Sequence, residues 1–277
     1  MHAVLPRSSC LTRREAGRSG RPQVLAANVD VAFVVTSLNS DLNPRRIERY
    51  LATIWDGGAR PVVLLTKRDL CPDAAAVVRS IEQVAPGADV LALSAVTGEG
   101  MDALDAHLRS GQTSVLLGSS GAGKSTLINR LLTAEVVPTR PIRESDERGR
   151  HTTTSRHLWA LPSGALVIDT PGMRELQLRI DAGSLDQAFD DVSAFAVRCR
   201  FTDCRHRTEP GCAVRTAVAR GTLSSERLAS YEKLGRELDF QARKEDKAKA
   251  SREKERWKTL SRQARERGRR KSRGELD

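Results

Sequence analysis

Gly118-Ser-Ser-Gly-Ala-Gly123-Lys124-Ser125 follows an apolar run at 114–118 and leads into a helical pattern at 124–132. A G-x-x-x-x-G-K-[ST] loop between a strand and a helix is the phosphate-binding P-loop arrangement. It works only where a strand delivers the loop to a helix N-terminus, which commits this part of the chain to an α/β sheet. The glycines let the backbone curl so that its N–H groups face the phosphates beside that helix end. Lys124 would reach the β- and γ-phosphates as a point charge, and the Ser125 hydroxyl would ligate Mg²⁺.

The surrounding pattern supplies the rest of such a sheet. Nearly continuous apolar runs at 31–36, 61–66, 90–94, 114–118 and 165–169 read as parallel strands covered on both faces. Helical stretches at 44–55, 72–84, 101–108 and 124–132 alternate with them, which gives βαβ units and a doubly wound, mostly parallel sheet. No run approaches the roughly 18 apolar residues of a spanning helix, so an integral membrane protein is excluded.

Three further motifs end predicted strands. Asp169-Thr-Pro-Gly172 would place Asp169 in the ligand crevice to hold Mg²⁺ through water, with the Gly172 N–H meeting the γ-phosphate. Thr66-Lys67-Arg68-Asp69 fits the [N/T]-K-x-D that selects guanine in GTPases. There Asp69 accepts from the base's N1–H and 2-amino groups while the Lys67 stem packs along the ring. Adenine lacks that donor pair, so a buried Asp69 left unpaired discriminates by several kcal/mol. Ser94-Ala95 resembles the loop whose backbone N–H contacts guanine O6.

Their order is the most informative feature. The base motifs at 66–69 and 94–95 precede the phosphate motifs at 118–125 and 169–172, the reverse of ordinary GTPases. The same sheet forms if the chain is circularly permuted, since chain termini lie close on domain surfaces. Between the phosphate motifs, Arg148-Gly-Arg-His151-Thr-Thr-Thr154 reads as a switch loop in which a threonine closes on Mg²⁺. Thr154 is the candidate, although spacing alone does not separate it from Thr153. Met173 stands where many GTPases place a water-orienting Gln, and His151 is the alternative group for that role.

Composition shifts after residue 180. Cys199-x4-Cys204-x-His206-x5-Cys212 gathers three thiols and an imidazole within fourteen residues. This is the ligand type of closed structural zinc, favoured on this spacing over iron–sulfur ligation. Pro210 and Gly211 allow the turn that returns Cys212. Five cysteines in 277 residues make no disulfide scaffold, so a reduced, cytoplasmic compartment is expected.

Net charge is +11, and residues 241–277 carry 15 Lys and Arg against 7 Asp and Glu. With Arg198, Arg200, Arg205, Arg207 and Arg215 around the cysteines and Phe201 among them, the balance favours RNA over a merely solvated basic face. Trp257 in the tail could anchor a helix or stack on a base. The expected division is a strand remnant and linker at 1–22, a GTPase domain at 23–180, a small helical zinc-binding domain at 181–240 and a basic tail at 241–277.

Together, T-K-R-D, S-A, G-S-S-G-A-G-K-S-T, D-T-P-G and C-x4-C-x-H-x5-C in this order resemble the RsgA (YjeQ) family of bacterial small-ribosomal-subunit biogenesis GTPases. The stretches Q23-V-L-A-A-N-V-D30, R148-G-R-H-T-T-T154 and M173-R-E-L176 are similar to that family as well. The resemblance implies a circularly permuted GTPase that binds the small (30S) ribosomal subunit and its rRNA late in maturation and leaves upon hydrolysis. It implies slow turnover alone and faster turnover on the subunit, as a monomer.

Carried over by position, guanine contacts fall on Thr66, Lys67, Arg68, Asp69, Ser94 and Ala95. Phosphate contacts fall on Gly118, Ser119, Ser120, Gly121, Ala122, Gly123, Lys124, Ser125 and Thr126, and zinc on Cys199, Cys204, His206 and Cys212. Two departures stand out. Thr66 replaces the commoner Asn, which predicts the loss of a side-chain link to the P-loop. Of the family's N-terminal OB-fold barrel only the last strand, about residues 3–9, is expected. A P-loop ATPase is the rival enzyme reading, against which T-K-R-D and S-A argue. An RNA-bound GTP switch with negligible hydrolysis is the non-enzymatic one.

Overall fold

The computed structural model describes residues 6–14, 22–39, 41–137, 156–170, 182–244, 246–247 and 251. The chain divides into two compact units, Met1–Tyr231 and Glu232–Asp277. In the second, residues 232–244 are helical; Trp257 lies outside the described residues.

The first unit is built on a six-stranded sheet. A hairpin of β1 (Cys10–Arg14) and β2 (Pro22–Ala27) forms a separate antiparallel sheet ahead of it. Residues 6–9, within the stretch matched to a barrel strand, are irregular. The sheet itself comprises β3 (Val31–Ser37), β4 (Arg60–Thr66), β5 (Asp89–Ala92), β6 (Thr113–Leu117), β7 (His157–Ala160) and β8 (Leu166–Asp169). Their order is β5-β4-β3-β6-β8-β7, parallel throughout except for the antiparallel edge strand β7.

Helices cover both faces. Alternation along β3 sends Ala32 and Val34 into one core, with Ile47, Leu51 and Ile54 of α1 (Pro44–Asp56) and Ile81 of α2 (Ala74–Glu82). Val31, Phe33 and Val35 enter the other, with Leu104 of α3 (Met101–Asp105) and Leu127 and Ile128 of α4 (Lys124–Leu132). This is the doubly wound arrangement that the apolar runs predict. Local chemistry fixes the helix starts. The Asn43 side chain accepts from the Arg46 N–H with Pro44 in the first turn, and Asp73 accepts from the Ala76 N–H.

Because the main strands run parallel, Thr66–Asp69, Ser94–Ala95, Gly118–Thr126 and Asp169 emerge at their carboxyl edge. The chain leaves β3 toward β4 on one side, while β6 lies against β3 on the other. That reversal opens a crevice between the loops after β3 and β6. Beyond the sheet, α5 (Ala182–Ala188), α6 (Asp190–Ala196), α7 (Ala213–Ala219) and helical residues 225–231 complete the unit.

Candidate nucleotide site and metal centre

Close packing dictates the start of the loop after β6. A Cβ on Gly118 would stand 2.2 Å from the Val35 carbonyl oxygen, so only glycine lets β6 turn away from β3 there. Gly123, at φ +92°, caps α4 without a side chain, leaving the first-turn N–H groups to face the loop's interior. Lys124 is buried, and its Nζ donates to the carbonyl oxygens of Gly118 (2.9 Å) and Ser119 (2.7 Å). Burial lowers its pKa to about 8, opposed by the charge of Asp169. Asp169 is buried at the end of β8, which raises its carboxyl above the ordinary range, partly offset by Lys124 and then His157.

Beside Asp169, the Thr170 hydroxyl donates to the Leu116 carbonyl at 2.7 Å, tying the D-T-P-G segment to β6. Ser125 and Thr126 occupy the first turn of α4 and are half-buried. A hydroxyl in the first turn of α4 and a buried carboxylate at the end of β8 are oxygen donors of the kind that Mg²⁺, a hard cation, takes. Gly172, Met173, His151 and Thr154 lie outside the described residues.

The loops expected to read the base follow β4 and β5. Thr66 is buried, with its hydroxyl 2.7 Å from the Ala122 carbonyl oxygen and 3.2 Å from that of Thr36. The link to the P-loop that the Thr-for-Asn departure was expected to lose is therefore present, because the shorter side chain still reaches the loop. Lys67 takes a left-handed conformation (φ +60°), which turns the chain into a short 3₁₀ segment at Arg68–Leu70. Arg68 joins the two base loops through an ion pair with Glu99 at 2.8 Å. Ser94 is buried, its N–H bonded to the Glu99 carbonyl and its Oγ accepting from Thr97 N–H, while Ala95 is half-buried. Asp69 is exposed rather than buried. The expected discrimination against adenine would therefore need a bound base to cover it.

One further neighbour of the P-loop belongs to no motif. Asp41, in the loop after β3, accepts a hydrogen bond from the Ser119 hydroxyl at 2.9 Å and a forked pair from Arg46 at 2.9 and 3.2 Å. A lone acid in an S-D-L-N turn carries no spacing signal, and only the adjacency of β3 and β6 makes it a neighbour of the P-loop.

The metal centre is assembled by a loop and a helix start. Glu209 folds the loop by accepting the N–H groups of Arg205, Arg207 and Thr208 at 2.8–3.0 Å. Its own backbone N–H and then that of Arg205, with Arg207 and Thr208, lower its pKa to about 2. His206 sits at φ +60° between two of those donors. Gly211 turns the chain back onto Arg200, and Cys212 caps α7 by accepting from the Arg215 N–H.

The ligand atoms of Cys199, Cys204, His206 and Cys212 all lie within 4.8 Å of one another. The three sulfurs stand 3.5–3.6 Å from His206 Nδ1, and the Cys199 and Cys212 sulfurs are 3.9 Å apart. Tetrahedral zinc, with Zn–S of about 2.3 Å and Zn–N of about 2.0–2.1 Å, requires S···N of about 3.5 Å and S···S of about 3.8 Å. The donor set fits zinc. On the adjoining surface Phe201 is 41% exposed, with the Arg200 guanidinium 5.4 Å from its ring centre.

Comparison with known proteins agrees with this geometry. Residues 4–179 match the RsgA GTPase family. "Small ribosomal subunit biogenesis GTPase RsgA 2" of Lactiplantibacillus plantarum is 52% identical over 241 residues, 87% of this chain and 68% of that protein. "Small ribosomal subunit biogenesis GTPase RsgA" of Opitutus terrae is 52% identical over 261 residues, 94% of this chain and 71% of that protein. Among solved structures, YjeQ from Thermotoga maritima aligns with a TM-score of 0.63 at 30% identity, covering 86% of this chain and 77% of its own. YloQ, described as a circularly permuted GTPase, shares the fold at a TM-score of 0.58 and 23% identity, covering 87% of this chain and 83% of its own.

Proposed function

The chain belongs to the RsgA GTPase family, and on that premise we propose that this GTP hydrolase acts in ribosome biogenesis by binding the small ribosomal subunit, assisting its late maturation and leaving upon hydrolysis. The observation that carries the reading is the convergence of Thr66–Asp69, Ser94–Ala95, Gly118–Thr126 and Asp169 on one sheet edge, with Lys124 buried beside Asp169.

In this reading Asp69 and the Ser94–Ala95 backbone read the guanine edge, and Thr66 keeps that strand end registered to the phosphate loop. The N–H groups at the start of α4 cradle the phosphates, and Lys124 exchanges its two backbone acceptors for phosphate oxygens. Ser125 and, through water, Asp169 would hold Mg²⁺, which when bound neutralises charge developing on the phosphates. His151 and Thr154 are proposed to position water and close the switch loop. The zinc centre fixes the Arg200–Phe201 surface, where a cation and an exposed ring suit rRNA backbone and bases.

Steady-state GTP and ATP hydrolysis, with and without purified small subunits, tests the proposal. GTP-specific turnover that rises strongly with subunits is the expected result. GTP turnover without stimulation would remove the ribosomal partner but leave the nucleotide site. ATP turnover would overturn the site reading.

A further inference from the structure

Arg227, in the last helical stretch of the first unit, is 2% exposed, and every N–H of its guanidinium has an acceptor. Nε donates to both oxygens of Asp191 (3.2 and 3.0 Å), and Nη1 to Glu48 Oε1 (2.9 Å) and the Val84 carbonyl (3.2 Å). Nη2 donates to the Ala188 carbonyl (2.7 Å) and Asp191 (3.0 Å), and the guanidinium lies 4.0 Å from the Phe189 ring centre. Glu48, fully buried on α1, also accepts from the Ser230 hydroxyl. One buried cation thus joins α1, the residues after α2, the α5–α6 junction and the helical stretch that follows α7.

A buried ion pair is weak grounds for stability, because desolvation can exceed the Coulombic gain. It does fix one arrangement of the four segments. From that arrangement, contacts continue in both directions. Phe189 meets Tyr231 edge-on at 5.6 Å, and the Tyr231 ring lies 6.4 Å from that of the zinc-site residue His206. On the other side α1 carries Arg46, which grips Asp41, which accepts from Ser119 in the P-loop.

We propose that Arg227 is a positioning residue for the phosphate loop: through Glu48 it seats α1 on the zinc-bearing segment, and Arg46 and Asp41 carry that seating to Ser119. The proposal rests on reading Gly118–Thr126 as the phosphate site. By reciprocity, nucleotide bound at the P-loop tightens the zinc-bearing segment as much as that segment tightens nucleotide.

A double-mutant cycle on the full zinc-loaded chain, titrated with a fluorescent GDP analogue, tests it. Arg227→Lys keeps the charge but not the fork, and Asp41→Ala removes an exposed link. Each is expected to weaken binding about five-fold, with zinc content unchanged and the double variant no weaker than Asp41→Ala alone. Additive losses would overturn the route. If Arg227→Lys fails to fold, amide exchange decides. Saturating GDP is expected to slow exchange in residues 185–231 about five-fold in the wild type and not in Asp41→Ala. No protection in the wild type, or equal protection in the variant, refutes the proposal. A wild type that binds no GDP refutes instead the phosphate-site reading beneath it.

Discussion

The hydroxyl of Thr66 donates to the carbonyl oxygen of Ala122 at 2.7 Å, joining positions 56 residues apart. It is a side-chain tie between the strand end proposed to read the base and the loop proposed to take the phosphates, and both residues are buried. Thr66→Val keeps shape and burial but strands the carbonyl, at a cost of about 1–3 kcal/mol. Weakening of GDP binding by about tenfold is expected, with Thr66→Ser close to wild type. Equal affinities for all three would show that the tie is idle.

Lys124 yields a pH signature. Burial lowers its pKa to about 8, and nucleotide phosphate favours the charged amine, so its pKa rises in the complex. Below about pH 8 both states are protonated and affinity is flat. Above it the free protein must take up a proton to bind, and GDP affinity is expected to fall by up to about tenfold per unit between pH 8 and 9. Lys124→Ala should bind weakly and without that slope. Titrations across this range, supported by proton-uptake calorimetry, check both.

Asp69 is exposed until a base covers it. Asp69→Asn should therefore leave the melting transition unchanged while abolishing GTP use. Its amide donates where the carboxylate accepted, which suits a xanthine edge. Competition between GTP and XTP for the variant measures the switch, and undiminished GTP turnover would refute the assignment.

Cys212, a proposed zinc ligand, is also the cap of α7, accepting from the Arg215 N–H. Cys212→Ser preserves the cap, since a hydroxyl oxygen performs that role well, and removes one thiolate. The wild type should purify with about one zinc per chain and the variant with far less, accompanied by a lower melting temperature. Elemental analysis with thermal melts checks this; zinc retained by the variant would remove Cys212 from the ligand set.

Much of the central sheet is legible in the sequence because parallel strands buried on both faces read as unbroken apolar runs. Val31–Ser37 and Arg60–Thr66 lie within a residue of their expected spans. The hairpin Cys10–Arg14 with Pro22–Ala27 is not legible, since a basic CLTRR segment with Leu11 as its buried anchor looks like linker. His157–Ala160 escapes because an edge strand with largely exposed side chains carries no apolar signal. Spacing locates the site motifs, but not Asp41, Glu48 or Arg227. Single charges in helical or loop patterns read as solvated surface, and the Glu48–Arg227 pair spans 179 positions. Only the folded chain turns such residues into partners.

The sheet order has a consequence for how the protein is made. Strands β3 to β5 are contiguous in sequence, β6 to β8 follow, and the two halves meet along the β3–β6 ladder, where Val31 pairs with Ser114. Ribosomes extrude the N-terminal half first. The half proposed to recognise the base is thus translated before the half proposed to grip phosphate exists. Nucleotide finds no complete site on the nascent chain until that seam closes, so its binding reports that the sheet is whole.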